Sequence, residues 1–150
     1  MLCQQYMVRT GVAQSTILDT ATLGEALARM IKQHMQQLIL VNASGEFAGE
    51  ITTFTLAKLL LPAGLEHPQT AEEAGAETVT DVDERIMPHL GRRVSDFAGH
   101  DLPVMRPDTP LTEAVGLLAR GRLRLPVVDP ETNKLVGVIS PLTVLRRYQF

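Results

Sequence analysis

The chain contains the same pattern of strands and helices twice, and this duplication restricts its possible folds more than any other feature. Residues 123–129 and 134–140 are two short, largely apolar segments separated by a turn, which is typical of neighbouring β-strands. A weaker copy occupies residues 37–42 and 46–52. Strands this apolar are usually buried on both faces. We therefore expect two similar units that pack together, and a function that depends on what the pair forms.

The elements around the two strand pairs repeat in the same order. Leu23 and Leu111 each begin an apolar helical face and lie 88 residues apart (111 − 23), and Gly49 and Gly137 have the same spacing (137 − 49). The predicted order in both repeats is strand, helix, strand, strand, helix. The segments are residues 15–18, 23–35, 37–42, 46–52 and 53–61 in the first repeat, and 102–105, 110–119, 123–129, 134–140 and 142–147 in the second.

Two helix-start signals support these assignments. Thr22 and Glu25 have the spacing of a capping box. Pro110 is expected at the first helical position, where its missing N–H donor costs little. Residues 1–10 are expected to form either a short helix or a packed arm.

An acidic connector separates the repeats. Residues 63–90 hold seven Asp or Glu against the single Arg85. Apolar residues recur at helical spacing over residues 79–90, which predicts a helix there, and we interpret the acidic side chains as a solvated face. The predicted division is a first unit at residues 1–62, the connector at 63–90, and a second unit at 91–150.

Composition argues against several classes of protein. The chain has 150 residues and 45% hydrophobic content, yet no apolar run approaches the roughly 18 residues that span a bilayer, so direct membrane insertion is not expected. The single Cys3 cannot form an internal disulfide, which fits a cytoplasmic, reducing location. Aromatic residues make up only 4% of the chain, so stacking surfaces for nucleic acid are scarce and no nucleic-acid partner is expected.

The sequence also lacks the patterns of a catalytic or metal site. Its four His residues do not have metal-ligand spacing, and Cys-x-x-Cys, P-loop and nucleophile-elbow motifs are absent. We therefore expect a protein that is not an enzyme and holds no structural metal.

The repeated order resembles the tandem cystathionine-β-synthase (CBS) domain pair, most clearly in Pro107-Asp-Thr-Pro-Leu-Thr-Glu-Ala114 and Leu125-Pro-Val-Val-Asp129. The resemblance covers nearly the whole chain except the connector, although the first repeat has Ile39 where the second has Pro126. It implies an α/β (α+β) fold of two β-α-β-β-α units packed about a pseudo-twofold axis, with two clefts between them. It also implies a homodimer formed through the CBS units.

The resemblance further implies a ligand class and a regulatory role. Clefts of CBS pairs often bind AMP, ADP, ATP or S-adenosylmethionine, and binding regulates a linked or separate enzyme, channel or transporter. The family motif is a glycine, a Ser or Thr three residues later, and an aspartate three residues further on. These groups let the backbone approach the ligand, bind phosphate, and hold the ribose hydroxyls, respectively.

Two segments follow this motif in part, namely Gly49-Glu-Ile-Thr52-Thr-Phe-Thr55 and Gly137-Val-Ile-Ser140-Pro-Leu-Thr143. Both have threonine in place of the aspartate. Neutral hydrogen bonds contribute about 0.5–1.5 kcal/mol against about 1.5–3 kcal/mol for charged ones, so ribose affinity is expected to fall about tenfold per site. Residues on the first strand of each repeat would frame the base. The resemblance therefore gives as ligand-binding residues Thr16, Ile17, Gly49, Thr52, Thr55, Val104, Met105, Gly137, Ser140 and Thr143.

Other interpretations stand beside nucleotide sensing. The hydroxyl residues can be ordinary helix caps, in which case the protein is a structural dimerisation module whose own side chains fill the clefts. The connector can instead sense a divalent cation, as part of the cytoplasmic regulatory portion of an ion channel or transporter. Arg120, Arg122 and Arg124 can hold a phosphate or a partner carboxylate, or form a solvated edge.

Overall fold

The structure, a computed structural model, describes residues 1–9, 15–60, 79–146 and 148. Its strands are β1 (Val8–Arg9), β2 (Thr16–Leu18), β3 (Gln37–Val41), β4 (Phe47–Thr52), β5 (Leu125–Val128) and β6 (Leu135–Ile139). Its α-helices are α1 (Leu23–Gln33), α2 (Thr53–Leu59), α3 (Val79–Ile86), α4 (Leu111–Ala119) and α5 (Pro141–Leu145). Short 3-10 turns occur at Cys3–Gln5, Met87–His89 and Val94–Phe97.

The strands form two three-stranded sheets, one for each repeat. The first sheet has the order β2-β3-β4, in which β2 runs parallel to β3 and β3 runs antiparallel to β4. The second sheet has the order β1-β6-β5, with both pairs antiparallel. This α+β architecture is the predicted fold class. The strand pair of each repeat is confirmed, with ends within two residues of the predicted ones.

Helix α1 forms where the sequence predicts it. The Thr22 Oγ1 accepts the Glu25 N–H at 3.1 Å, and the Glu25 carboxylate accepts the Thr22 N–H at 3.0 Å, which completes the capping box. Leu23, Ala26 and Met30 bury one face. The helix ends at Gln33, and the C-cap His34 has a left-handed φ of 53°. The predicted end at residue 35 is therefore two residues too late.

The second repeat departs from the predicted pattern at two prolines. Residues 102–105 do not form a strand; only Met105 pairs, through a single parallel bridge to Val127. Pro103 has no N–H to donate, which limits any ladder at this position. Pro110 lies one position outside α4 as its N-cap, with an extended ψ of 136°. Leu111 is therefore the first helical residue.

Two short segments, which we call the N-terminal arm (residues 1–9) and the linker arm (residues 92–100), complete the sheets reciprocally. The N-terminal arm pairs with β6 of the second sheet. The linker arm pairs with β4 of the first sheet through the Gly99–Glu50 bridge. The arms make equivalent hydrogen bonds: the Cys3 N–H to the Thr109 carbonyl at 2.9 Å and the Val94 N–H to the Ala21 carbonyl at 2.7 Å.

The division of the chain at residues 1–62, 63–90 and 91–150 stays a prediction. Whatever the domain boundaries, residues 1–9 pair with the sheet of the second repeat, and residues 92–100 pair with the sheet of the first. Burial explains the exchange, since Cys3 and Val94 are each fully buried in the core that their arm covers. Each sheet therefore depends on a segment from outside its own repeat.

The two sheets pack through a third, smaller core of Ile39, Val128, Leu135 and Val138. Beside it, the hairpin turns exchange backbone hydrogen bonds, from the Phe47 N–H to the Asn133 carbonyl at 3.2 Å and from the Leu135 N–H to the Gly45 carbonyl at 2.9 Å. The two donors, Phe47 and Leu135, lie 88 residues apart (135 − 47), and so do the two acceptors, Gly45 and Asn133 (133 − 45). This reciprocity is the predicted pseudo-twofold relation.

The connector is described only in its last part. A helix is present at Val79–Ile86 and continues as the 3-10 turn Met87–His89, which confirms the helix predicted over residues 79–90. The connector's earlier acidic residues lie outside the described residues. Among the helices that the structure describes, none is long and apolar enough to cross a membrane.

Candidate functional site

The hydroxyl residues of the two motifs cap helices. Thr52 is the N-cap of α2, and its Oγ1 accepts the Thr55 N–H at 3.3 Å. Ser140 is the N-cap of α5, and Thr143 completes a capping box there, with its Oγ1 accepting the Ser140 N–H at 3.0 Å. Both repeats therefore contain the helix caps that the alternative interpretation predicts. A ligand would have to compete for these hydroxyls or use their remaining hydrogen-bonding capacity.

The glycines of the motifs are covered by the arms. A Cβ atom on Gly49 would lie 2.8 Å from the Gly99 carbonyl oxygen, and Gly49 has a φ of +112° that side chains rarely adopt. A Cβ atom on Gly137 would lie 2.9 Å from the Val8 carbonyl oxygen. At Gly49 the closest approach is made by the backbone of the linker arm, and at Gly137 it is made by the Met7 side chain together with the backbone of the N-terminal arm.

The residues expected to frame a base fall into different surroundings. Ile17 is buried in the first core, and Thr16 pairs with Ile39 on β3 while its carbonyl accepts a hydrogen bond from Arg29. Met105 is 4% exposed, whereas Val104 is 42% exposed. The two lie beside an open groove of about 350 Å³ at the start of α4. The predicted ligand-binding set is therefore not gathered around one of the described cavities.

One cleft between the sheets does contain a predicted residue. It has a volume of about 220 Å³ and takes residues from both repeats, so we call it the inter-sheet cleft. Thr52 lies in its wall beside Glu50. The complete lining is Gln37, Glu50, Thr52, Phe54, Leu102, Gly121, Arg122 and Leu123.

The polar wall of the inter-sheet cleft centres on Gln37 and Glu50. Gln37 is only 2% exposed, although it begins an otherwise apolar strand. Its Nε2 donates to the Glu50 Oε2 at 2.5 Å and weakly to the Arg124 carbonyl at 3.4 Å, so it links the two sheets. Its Oε1 is buried without a hydrogen-bond partner.

Sequence reasoning missed these two residues. A polar side chain at the head of the apolar strand Gln37–Val41, and a carboxylate between the motif's glycine and hydroxyl, were the available signals. Neither signal is specific, because both positions also fit an exposed strand edge. What the sequence cannot show is that strand register puts Gln37 opposite Thr52 and diagonal to Glu50 on the same face.

The three arginines near β5 do not form one anion site. Arg122 lines the inter-sheet cleft, and Arg120 borders a separate groove beside α4. Arg124 is half-buried, and burial lowers the pKa of its guanidinium from the ordinary value. Of the three, only Arg122 faces a cavity shared by both repeats.

The described residues contain no cluster of three or more His, Cys, Asp or Glu that could hold a metal ion. The acidic residues before position 79, on which the cation alternative depends, lie outside the described part of the chain.

Comparison with protein families gives a match in the second half of the chain. Residues 94–149 match the family model for the CBS domain. No curated protein sequence matches the chain significantly.

Solved structures match over nearly the whole chain. CBSX2, a CBS-pair protein from Arabidopsis thaliana, is 20% identical with a TM-score of 0.71, covering 97% of this chain and 92% of that chain. Its complex with AMP, also 20% identical, has a TM-score of 0.70 and covers 97% of this chain and 94% of that chain. A hypothetical conserved protein from Geobacillus kaustophilus is 18% identical with a TM-score of 0.73, covering 98% of this chain and 95% of that chain.

CbpB in complex with c-di-AMP is 12% identical with a TM-score of 0.71, covering 98% of this chain and 83% of that chain. At identities this low, the structural matches establish a shared fold alone. The chain therefore contains a CBS domain at residues 94–149 and has the fold of a tandem CBS pair over nearly its whole length.

Proposed function

We propose that this protein is a non-catalytic regulatory module that senses an adenosine-containing nucleotide in the inter-sheet cleft. The observation that carries the proposal is the cleft itself, because polar side chains from both repeats converge there at the start of α2. A ligand held in it would contact both halves of the molecule, so binding would change how they pack. The structural relatives solved with AMP and with c-di-AMP support this ligand class.

The direct test is a thermal-shift and calorimetric screen of AMP, ADP, ATP, S-adenosylmethionine and c-di-AMP. A ligand that binds only the folded state adds about 2.7 kcal/mol of stability at one hundred times its dissociation constant. The absence of any shift or heat at millimolar concentration would reject nucleotide sensing.

A blocking variant locates the binding. Leu123 lines the inter-sheet cleft and is 38% exposed, so Leu123→Trp should fill the cleft without disturbing a core. Leu145 on α5 is 47% exposed and is absent from the cleft lining, which makes Leu145→Trp the matched control. We expect the first variant to lose nucleotide binding and the second to keep it. The opposite pattern would move the site away from the inter-sheet cleft.

A structural dimerisation module is the second candidate, and exposed apolar side chains favour it. Phe54 on α2 is 68% exposed and Leu142 on α5 is 62% exposed. They occupy equivalent positions, 88 residues apart (142 − 54). A twofold-related pair of apolar sites suits a self-complementary contact between copies. Dimerisation is compatible with sensing, and a linked or separate enzyme, channel or transporter would receive the signal.

A further inference from the structure

We propose that Glu50 is the ligand-contacting acid of the inter-sheet cleft, held in place by Gln37, and that the cleft selects a ribose phosphate while tolerating different bases. The proposal rests on the function proposed above and specifies the chemistry of the same site.

Glu50 has a rigid backbone and a carboxylate oxygen available to a ligand. Its N–H donates to the Gly99 carbonyl at 3.0 Å, and its own carbonyl accepts the Gly99 N–H at 2.8 Å. These two hydrogen bonds to the linker arm hold the β4 backbone in place at Glu50. The side chain is half-buried and lines the cleft. Its Oε2 accepts from Gln37, whereas its Oε1 has no hydrogen-bond or ion-pair partner among the described residues.

The orientation of Gln37 is fixed by its neighbours. Both groups near its Nε2 are acceptors, namely the Glu50 carboxylate and the Arg124 carbonyl. Rotating the amide by a half-turn would bring two acceptor oxygens together, so the nitrogen must face Glu50. Gln37 therefore acts through Glu50 as a positioning residue: it holds one carboxylate oxygen and leaves the other to a ligand.

A cation of the second repeat lies in the same cleft. Arg122 is exposed, and no ion pair joins it to Glu50 in the structure. The cleft thus presents a carboxylate from one sheet and, from the loop before the other, a guanidinium that has no ion-pair partner among the described residues. A ligand that complements both must carry hydrogen-bond donors and an anionic group. Vicinal hydroxyls beside a phosphate meet this requirement.

The size of the cleft limits how much of a nucleotide it encloses. At about 220 Å³ it is smaller than the roughly 300–1,000 Å³ typical of pockets that bury a whole ligand. The sugar and phosphate fill such a space, and the base then lies outside. Phe54 offers its ring at this edge, and stacking on an aromatic ring accepts every base. We therefore expect selectivity for ribose over deoxyribose and little selectivity among bases.

The test measures calorimetric affinities of AMP, GMP, 2′-deoxy-AMP and ribose 5-phosphate for the wild-type chain and three variants. The wild-type chain should bind AMP and GMP within a few fold of each other and 2′-deoxy-AMP about tenfold more weakly. Glu50→Gln should weaken AMP at least about tenfold and remove the ribose preference. Arg122→Ala should weaken ribose 5-phosphate while keeping that preference. Glu113→Gln, a carboxylate-to-amide change on α4 outside the cleft, should alter neither.

Gln37→Leu tests the positioning role, because the ribose-to-deoxyribose ratio would not respond to a purely structural change. We expect this ratio to fall while AMP binding persists. Equal binding of AMP and 2′-deoxy-AMP by the wild-type chain, or an unchanged ratio in Glu50→Gln, would overturn the inference and leave nucleotide sensing standing. Failure of every nucleotide to bind would overturn both.

Discussion

Gly49 shows how one residue is fixed by both its own conformation and a neighbour's position. Its φ of +112° is unfavourable for any side chain, and a Cβ atom would lie 2.8 Å from the Gly99 carbonyl oxygen, which belongs to backbone and cannot swing away. We predict that Gly49→Ala lowers the free energy of unfolding by about 2–4 kcal/mol, through strain and overpacking together. Urea denaturation measures the loss.

Two other glycines separate these causes. Gly45 has a φ of +82° but nothing within 4 Å of a Cβ atom, so Gly45→Ala should show the conformational cost alone, about 1 kcal/mol. Gly116 lies in α4 with open space around it, so Gly116→Ala should raise stability by about 0.5–1 kcal/mol. Equal losses of stability in Gly49→Ala and Gly45→Ala would show that contact with the linker arm adds nothing to the cost at Gly49.

The Cys3 thiol gives stability a specific pH dependence. Burial, with a smaller contribution from the Glu113 carboxylate, raises the pKa of Cys3 above its ordinary value of 9.0. A raised folded-state pKa means that the folded protein holds the proton more tightly than the unfolded one. The associated stability is complete below pH 9 and is lost as the pH rises through the raised value.

We therefore expect the wild-type chain to lose stability more steeply than Cys3→Ala between pH 8 and pH 10.5, measured by urea denaturation. The difference between the two chains isolates the contribution of the thiol from that of every other group. Parallel curves would contradict the prediction. Alkylation of Cys3 should also be slow until the core of the second sheet, in which the thiol is buried, opens.

At the level of elements, the arms exchange partners between repeats, and this gives Val94 an effect far from its own repeat. Val94 is fully buried in the core of the first sheet. We predict that Val94→Ala costs about 2 kcal/mol and weakens hydrogen-exchange protection in β3 and β4. Val115→Ala is the control, because Val115 is 41% exposed on α4 and should change stability by less than about 0.5 kcal/mol. Loss of protection in β5 and β6, rather than in β3 and β4, would contradict the packing of the linker arm against the first sheet.

The elements that sequence reasoning recovered are those with strong local signals. The apolar strand pairs, the capping box at Thr22 and the helix beginning at Val79 each depend on residues close together in the chain. A packed arm was one of the two expectations for residues 1–10, but its pairing with β6 was not predicted. Strand β1 has only two residues and pairs with positions near 138, so no local periodicity marks it. The strand predicted at residues 102–105 is absent. The prediction used the apolar character of the segment alone and did not account for Pro103, which has no N–H to donate.

The candidate site was recovered less completely than the fold. The motif led to Thr52 and its surroundings, and Thr52 does line the inter-sheet cleft. Gln37, Glu50 and Arg122 come from three separate places in the chain, and only strand register and the packing of one repeat against the other bring them together. All of the predicted ligand-binding residues, Thr52 included, stay predictions, and the affinities of variants at the cleft will decide among them.

For the molecule as a whole, the exposed apolar residues of α2 and α5 predict self-association. We expect dimers at micromolar concentration in sedimentation equilibrium, and we expect Phe54→Glu and Leu142→Glu each to lower the association constant at least about tenfold, because a charge would be buried in the contact. Ile31→Glu is the control, since Ile31 is 74% exposed on α1. A wild-type chain that stays monomeric at all concentrations would contradict this prediction.

The reciprocal arms also predict a single cooperative unfolding transition. Neither sheet keeps its complete core once the opposite repeat has opened, because Cys3 and Val94 are then withdrawn from the cores they fill. Fluorescence of the two Tyr residues, far-UV circular dichroism and hydrogen exchange in both sheets should give coincident midpoints in urea. Separate midpoints for the two sheets would show that the arms contribute little.

Exchange of the arms has a further consequence for how the chain is made on the ribosome. The first sheet is incomplete until residues 92–100 have emerged, although its own strands end at Thr52. The N-terminal arm has to wait for β6, because Val8 pairs with Val138, which lies 130 residues later in the chain (138 − 8). Vectorial synthesis therefore cannot deliver one finished half at a time, and chains truncated before β6 are expected to be substrates for chaperones and proteases.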